Sequence, residues 1–142
     1  MKLLDIKTRL QETSYPGRGI IIGRTPDDAK VMIAYFIMGR SVNSRNRIFE
    51  LTEDGIRTKA YDDSKMEDPS LIIYHPVRVV GGETVVTNGD QTDTIRDFLV
   101  AGKTFADALW ENLNEDNKVS LFVRTINLAD GAIDTVIINR HN

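Results

Sequence analysis

Two apolar runs near the start of the chain most strongly limit what it can fold into. Residues 19–23 and 31–38 are rich in β-branched and aromatic side chains, and a short polar segment containing Pro26-Asp27-Asp28 separates them. Runs of this composition, joined by a turn, are typical of paired antiparallel strands. Both runs are apolar at consecutive positions, so the sequence predicts a hairpin of buried strands that needs cover on both faces.

The rest of the chain predicts more strands and then helices. Strands are expected at residues 47–52, 56–61, 71–80, 83–87, 119–126 and 133–138. A short helix or extended arm is expected over residues 2–12, and two helices on either side of Gly102, where apolar residues recur at helical spacing. Antiparallel hairpins with clustered helices indicate an α+β fold rather than alternating parallel units.

Composition limits the functional classes that the chain can belong to. With 142 residues, 41% of them hydrophobic and 27% charged, the chain fits one domain over residues 1–142. Its net charge of -3 gives no general basic surface for nucleic acid. The absence of cysteine excludes thiolate catalysis and cysteine-ligated metals, and His75 and His141 lack metal-ligand spacing, so neither a metal nor a cofactor is expected.

The same composition bears on localisation. Charges interrupt the apolar residues at the N-terminus, so it does not have the pattern of a signal peptide. No apolar segment is long enough to span a bilayer. We therefore expect a cytoplasmic protein that does not bind membranes.

A polar corner follows the predicted strand at residues 83–87. The residues Asn88-Gly89-Asp90-Gln91-Thr92-Asp93 lead directly into a predicted helix. The first backbone N–H groups of a helix lack internal partners and often bind anions or carbonyl groups. Such residues are also ordinary turn formers and helix caps, so the corner taken alone favours a structural role.

Arginines at the ends of strands add a second candidate. Three of them lie in residues 38–47, together with serines and asparagines, directly after an apolar strand. The guanidinium fork matches phosphate or carboxylate, whereas the alternative is a solvated loop paired with the acidic excess of the chain. The segment Tyr15-Pro16-Gly17-Arg18 repeats the pattern of a rigid turn followed by a cation.

Tyr74 stands in an otherwise apolar predicted strand. A tyrosine there usually packs in the core with its hydroxyl paired, and the functional alternative is a hydrogen bond from Tyr74 to a polarised substrate oxygen. The sequence has no nucleophile elbow, no P-loop and no glycine-rich dinucleotide motif. If the chain is an enzyme, its chemistry should use positioned donors and acid–base groups.

Taken together, the segments at residues 15–18, 40–47, 74–78 and 88–93 resemble the archaeal-type IMP cyclohydrolase family in order, approximate spacing and residue types. The resemblance implies an α+β fold with antiparallel sheets in a four-layer α-β-β-α sandwich, like that of the N-terminal nucleophile (Ntn) hydrolases. Their self-processing chemistry is not expected, because Lys2 offers no N-terminal nucleophile.

The resemblance also implies a function in purine biosynthesis. The chain would be a hydrolase acting on cyclic amidines, which closes the ring of formamido-imidazole-carboxamide ribotide to IMP with loss of water and without a cofactor or metal. Catalytic roles would fall to Arg40 and Tyr74. Contacts with the nucleotide, its base or its sugar would be made by Arg18, Ser41, Arg47, Asn88 and Asp93.

The chain departs from the family in its last part. Residues 121–126 are only loosely similar to a Thr-Pro-Arg-Ile-like segment of the family, and a further acidic residue is missing, for which Glu111, Glu115 or Asp116 are candidate replacements. The domain is therefore expected to be short at its C-terminus. The alternatives are a non-catalytic purine-nucleotide-binding or regulatory protein, or a structural module. Strands that are apolar on both faces also predict a homo-oligomer.

Overall fold

The computed structural model describes residues 5–70, 72–112, 121–126 and 133–138. These residues form an α+β structure in which every sheet is antiparallel, as predicted. The strands are β1 (Arg18–Arg24), β2 (Val31–Ile37), β3 (Arg47–Thr52), β4 (Gly55–Ala60), β5 (Val77–Val80), β6 (Glu83–Val86), β7 (Leu121–Ile126) and β8 (Ile133–Ile138). The α-helices are α1 (Ile6–Glu12), α2 (Val42–Arg45), α3 (Gln91–Val100) and α4 (Phe105–Asn112).

The predicted first hairpin is confirmed, but its burial is not. Strands β1 and β2 pair along their whole length, with Ile22 opposite Ile33. The residues near the turn are exposed: Ile22 keeps 51% of its accessible surface and Met32 keeps 56%. The expectation of buried strands is wrong here: most of β1 is exposed, and the side-chain contacts that join the hairpin to the rest of the fold include those of Arg18 and Tyr35 at its far end.

The larger sheet has four strands in the order β3-β4-β5-β6. Strand β4 meets β5 over a short stretch, with Gly55 opposite Arg78 and Ile56 opposite Val77. Gly55 has a φ of +155°, and a Cβ there would collide with the backbone of Val77. A glycine at this turn therefore allows the β3-β4 hairpin to approach β5 closely.

The strand predicted over residues 71–80 forms only in its second half, as β5. Pro76 has no N–H to donate to a neighbouring strand. In the residues that precede it, hydrogen bonds from the buried side chain of Thr58 replace regular backbone pairing between strands. The Thr58 hydroxyl donates to the carbonyl of Ile72 at 2.8 Å and accepts from the backbone N–H of Tyr74 at 2.9 Å. These bonds hold the segment before β5 against β4, with the Tyr74 side chain buried.

Helices α3 and α4 confirm the prediction of two helices around Gly102. Helix α3 packs on β5 and β6, α4 packs on α3, and the resulting core consists of Val85, Ile95, Ala108 and Leu109. Gly102 has a φ of +74°, the left-handed conformation that commonly ends a helix. Because α3 packs on the sheet, the polar corner between β6 and α3 has a fixed position.

The last hairpin is also confirmed, since β7 pairs with β8 from Leu121 opposite Ile138 to Ile126 opposite Ile133. Several predicted features lie outside the described residues: residues 2–4 of the N-terminal segment, Leu71, residues 119–120, the turn at 129–131, Glu115 and Asp116. Within the described part of the chain, no helix is long and apolar enough to cross a membrane.

Candidate functional site

A cluster of hydrogen-bonded side chains joins the first hairpin to the larger sheet. The amide oxygen of Asn88 lies 3.0 Å from Arg18 Nη1 and 2.9 Å from the hydroxyl of Tyr35. The hydroxyls of Tyr35 and Tyr74 lie 2.7 Å apart. We call Arg18, Tyr35, Tyr74 and Asn88 the tyrosine cluster. It brings together three residues predicted from the sequence, namely Arg18, Tyr74 and Asn88.

Each member of the tyrosine cluster comes from a different element. Arg18 begins β1, after the turn at Gly17, whose φ of +69° favours glycine. Tyr35 lies on β2, and its ring packs edge-on against Phe49 of β3 with centroids 5.9 Å apart. Tyr74 precedes β5 and Asn88 follows β6. The cluster therefore exists only when the hairpin is docked on the larger sheet.

Arg47 lies beside the tyrosine cluster. Its Nη1 donates to the carbonyl of Ile72 at 3.3 Å, whereas its Nη2 is buried and has no hydrogen-bond partner within the described part of the chain. Burial lowers the pKa of Arg47, and the charge of Arg18 lowers it further, while the phenol groups of Tyr74 and Tyr35 oppose the shift. An unpaired buried donor costs about 1–3 kcal/mol, so a ligand acceptor at Nη2 would be strongly favoured.

A cavity of about 210 Å³ adjoins Arg47. Its walls combine apolar residues, among them Ile37, Ile48 and Phe49, with Ser44, Arg45 and Arg47. Pockets for drug-sized ligands commonly have roughly 300–1,000 Å³. This cavity therefore has room for part of a nucleotide, such as a base, with a cation at its wall.

Arg40 and Ser41 lie on the loop between β2 and β3, outside the hydrogen bonds of the tyrosine cluster. The exposed guanidinium of Arg40 lies 4.8 Å from the centroid of the Tyr15 ring, a cation–π contact. Ser41 caps α2: its hydroxyl accepts from the backbone N–H of Ser44 at 3.0 Å, and the Ser44 hydroxyl accepts from the backbone N–H of Ser41 at 2.9 Å. The sequence analysis missed this one-turn helix.

Asp93 belongs to a separate network of charges. One carboxylate oxygen accepts from Arg78 Nε at 2.7 Å, and the other lies 3.0 Å from His75 Nδ1. Arg78 also pairs with Asp54, which lies 3.6 Å from Arg96. We call these five residues the Asp93 network. They tie the start of α3 to β5 and to the β3-β4 turn, so Asp93 has a structural partner for each oxygen.

The match to known proteins covers all of these positions. Residues 15–117 match the family described as IMP cyclohydrolase-like protein. The chain belongs to this family. The resemblance predicted from the sequence is thus confirmed, and the matched region contains both the tyrosine cluster and the Asp93 network.

Proteins named IMP cyclohydrolase are similar to this chain. Those of Methanococcus aeolicus and Methanopyrus kandleri are each 30% identical over 95 residues, and that of Methanocella arvoryzae is 32% identical over 95 residues. Each alignment covers 67% of this chain and 46% of the relative. The chain thus spans just under half the length of these relatives of the cyclohydrolase-like family.

Tyr35 is the member of the tyrosine cluster that sequence reasoning missed. It stands in the apolar run 31–38, which was interpreted only as a strand. The available signal was its hydroxyl, because a tyrosine in a buried strand needs a hydrogen-bond partner. Burial raises the pKa of Tyr35 well above its ordinary value, and the hydrogen bond with Tyr74 raises it further. Tyr35 is therefore a neutral phenol at physiological pH.

Proposed function

We propose that this chain binds a purine ribotide and closes the ring of formamido-imidazole-carboxamide ribotide to IMP with loss of water. The observation that carries the proposal is the tyrosine cluster next to Arg47, whose buried Nη2 has no partner among the described residues. Membership of the cyclohydrolase-like family supports the same reaction. Since the aligned region covers 46% of the relatives, activity and substrate are assigned here as a proposal.

The reaction demands positioning more than covalent chemistry. The carboxamide nitrogen attacks the formyl carbon, and the new C–N bond closes the ring. The formyl oxygen then leaves as water with two protons, one from the carboxamide nitrogen and one from the formamido nitrogen. An amide nitrogen is a poor nucleophile, so the site must hold it against the formyl carbon and stabilise charge on the formyl oxygen.

The proposed roles use the charges around the tyrosine cluster. Arg40 and Tyr74 act at the reacting end, where a guanidinium stabilises the formyl oxygen. Arg18, Arg47 and Ser41 bind the nucleotide, and two arginines without carboxylate partners in the described structure suit a phosphate or a carbonyl group. Asn88 contacts the base or sugar.

Two of these roles require a local change in the structure. Arg40 must turn from the ring of Tyr15 toward the tyrosine cluster. An anionic ligand near the loop between β2 and β3 would attract its guanidinium and so favour this turn. Asp93 contacts the ribotide only if one of its partners, His75 or Arg78, is exchanged for the ligand. His75 is the partner that is more easily exchanged, because its ring makes one contact with the carboxylate, whereas the arginine binds through a permanent charge.

The proposal includes an architecture and an assembly. A single domain over residues 1–142 adopts the four-layer α-β-β-α arrangement of the Ntn hydrolases and works in the cytoplasm without a metal, a cofactor or nucleic acid. A homo-oligomer would cover the exposed apolar residues of the first hairpin, among them Ile20, Ile22 and Met32. Size-exclusion chromatography with light scattering measures the subunit count.

The direct test is to mix the purified chain with the formamido ribotide and to follow the ultraviolet absorbance of IMP. We expect turnover by the wild type, a large loss in Arg40→Ala, and no loss in Arg9→Ala, which removes an exposed arginine of α1. Absence of turnover with tight binding of IMP would favour the non-catalytic relative. Absence of both would contradict the proposed function.

A further inference from the structure

The hydrogen bonds of the tyrosine cluster have a fixed direction. Arginine carries only donors, so the Asn88 atom 3.0 Å from Arg18 Nη1 is the amide oxygen, an acceptor. The Tyr35 hydroxyl, 2.9 Å from the same oxygen, must therefore donate its single hydrogen to it. Because that hydrogen is used, the 2.7 Å contact between the two phenols requires Tyr74 to donate to Tyr35.

This direction determines what Tyr74 offers to a ligand. Its only hydrogen goes to Tyr35, so toward any other group the Tyr74 oxygen is an acceptor. The functional alternative taken from the sequence made Tyr74 a hydrogen-bond donor to a substrate oxygen. In the cluster the Tyr74 oxygen is instead an acceptor toward a ligand. Tyr35 keeps its own hydrogen because its surroundings disfavour the ionised phenol.

Arg47 supplies the complementary group. Its buried Nη2 is a donor with no partner among the described residues, and its Nη1 donates to the carbonyl of Ile72, two residues before Tyr74. The site thus pairs one acceptor with one donor. An amide edge, with an N–H next to a C=O, has the matching pattern of one donor and one acceptor.

We propose that Tyr35 is a positioning residue that fixes the polarity of Tyr74, so that Tyr74 and Arg47 together recognise an amide edge of the ligand. This inference rests on the proposed function and adds to it the reason why the site would prefer one purine base to another. The carboxamide of the ribotide presents such an edge, and the ring of IMP keeps it as N1–H and the 6-oxo group. AMP presents the reverse pattern, with a lone pair at N1 and an amino group at position 6.

The polarity makes a prediction that does not depend on turnover. The wild type should bind IMP at least tenfold more tightly than AMP, because a mispaired buried donor or acceptor costs about tenfold or more in affinity. In Tyr35→Phe the ring still packs on Phe49, but the Tyr74 hydroxyl is free to donate to N1 of AMP. The preference for IMP should then fall by about tenfold.

The experiment is calorimetric titration of IMP and AMP into the wild type, Tyr35→Phe and a matched control, Tyr61→Phe. Tyr61 is 77% exposed, so its variant loses the same hydroxyl at the surface and should keep the wild-type preference. Asn88→Leu removes the acceptor of the Tyr35 hydrogen and should also lose the preference for IMP. This variant provides the same test if Tyr35→Phe does not fold.

The outcomes separate this inference from the proposed function. A fall in the IMP preference confined to Tyr35→Phe and Asn88→Leu would support the inference. An unchanged preference in both variants, or a wild type that does not prefer IMP, would overturn it, and turnover of the formamido ribotide would still support the function. If neither turnover nor nucleotide binding occurs, both are wrong.

Discussion

The tyrosine cluster and the Asp93 network share two segments of the chain, since Tyr74 precedes His75 and Asn88 lies in the same corner as Asp93, but they differ in how their charges are paired. In the Asp93 network, Arg78 pairs with two carboxylates and both oxygens of Asp93 have partners. In the tyrosine cluster, Arg18 contacts neutral groups, namely Asn88 and the Tyr74 ring, and neighbouring Arg47 has a nitrogen without a partner among the described residues. A network in which each charge is paired stabilises the fold, whereas unpaired positive charge and an unpaired donor suit a ligand.

The largest effect should come from opening the Asp93 network. Arg78→Met leaves the carboxylates of Asp93 and Asp54 without their shared cation in a partly buried place. Removing one partner of such a pair should lower the free energy of unfolding by about 3 kcal/mol. Chemical denaturation measures this loss, and Arg57→Met, at a more exposed ion pair with Glu50, is the control. A loss of IMP affinity without a loss of stability would contradict the structural role.

Next in size is the effect of the Tyr74 hydroxyl on turnover. Tyr74→Phe keeps the buried ring, so its stability should change little, whereas kcat should fall by roughly 100-fold because the oxygen that orients the amide nitrogen is lost. Steady-state kinetics of IMP formation measure the fall. If Tyr74→Phe unfolds so readily that the loss of folded protein explains the whole loss of activity, Tyr74 has no role in the site.

Arg47→Met should separate binding from stability. The substitution removes the donor for the ligand, so IMP affinity should fall by about tenfold. It also removes a half-buried charge that has no carboxylate partner in the described part of the chain, so the free energy of unfolding should stay the same or rise by about 1 kcal/mol. Titration calorimetry measures the fall in IMP affinity, and denaturation of the same sample measures the change in the free energy of unfolding. If binding and stability fall together, Arg47 is structural, as Arg78 is.

The smallest effect concerns alkaline pH. Burial raises the pKa of Tyr35 above its ordinary value of 10.0. The folded state therefore keeps this proton while the unfolded state loses it, so the contribution to stability is present below pH 10.0 and is lost as pH rises above it. Tyr35→Phe should lose less stability than the wild type between about pH 9 and about pH 11. If the free energy of unfolding falls equally steeply with pH in both proteins, Tyr35 is more solvated than the structure indicates.

Much of the fold follows from local patterns in the sequence. The hairpins, the two helices around Gly102 and the corner after β6 were predictable because strand and helix periods are local properties. The exposure of Ile22 and Met32 was not, since composition cannot say which face of a hairpin finds a partner. The irregular segment before β5 depends on a side-chain bond from Thr58, distant in sequence, which no strand pattern reveals.

The site was predictable in its residue types but not in its pairing. Arg18, Tyr74 and Asn88 were chosen from separate segments, and the structure joins them through Tyr35, which sequence reasoning had placed in an apolar strand. Asp93 was chosen from the same corner as Asn88, yet it faces His75 and Arg78. Which of two neighbouring polar residues faces a ligand depends on tertiary packing, and a single sequence does not contain that information.

The central claim is that the tyrosine cluster and Arg47, rather than the ion pairs of Arg78, bind the base of the ligand. A crystal structure of the chain with IMP bound tests it most directly. The account predicts the 6-oxo group of IMP at Arg47 Nη2 and N1–H at the Tyr74 oxygen, with the ion pairs of Arg78 unchanged. IMP with its base against the ion pairs of Arg78, or on the exposed hairpin away from Tyr74, would contradict it.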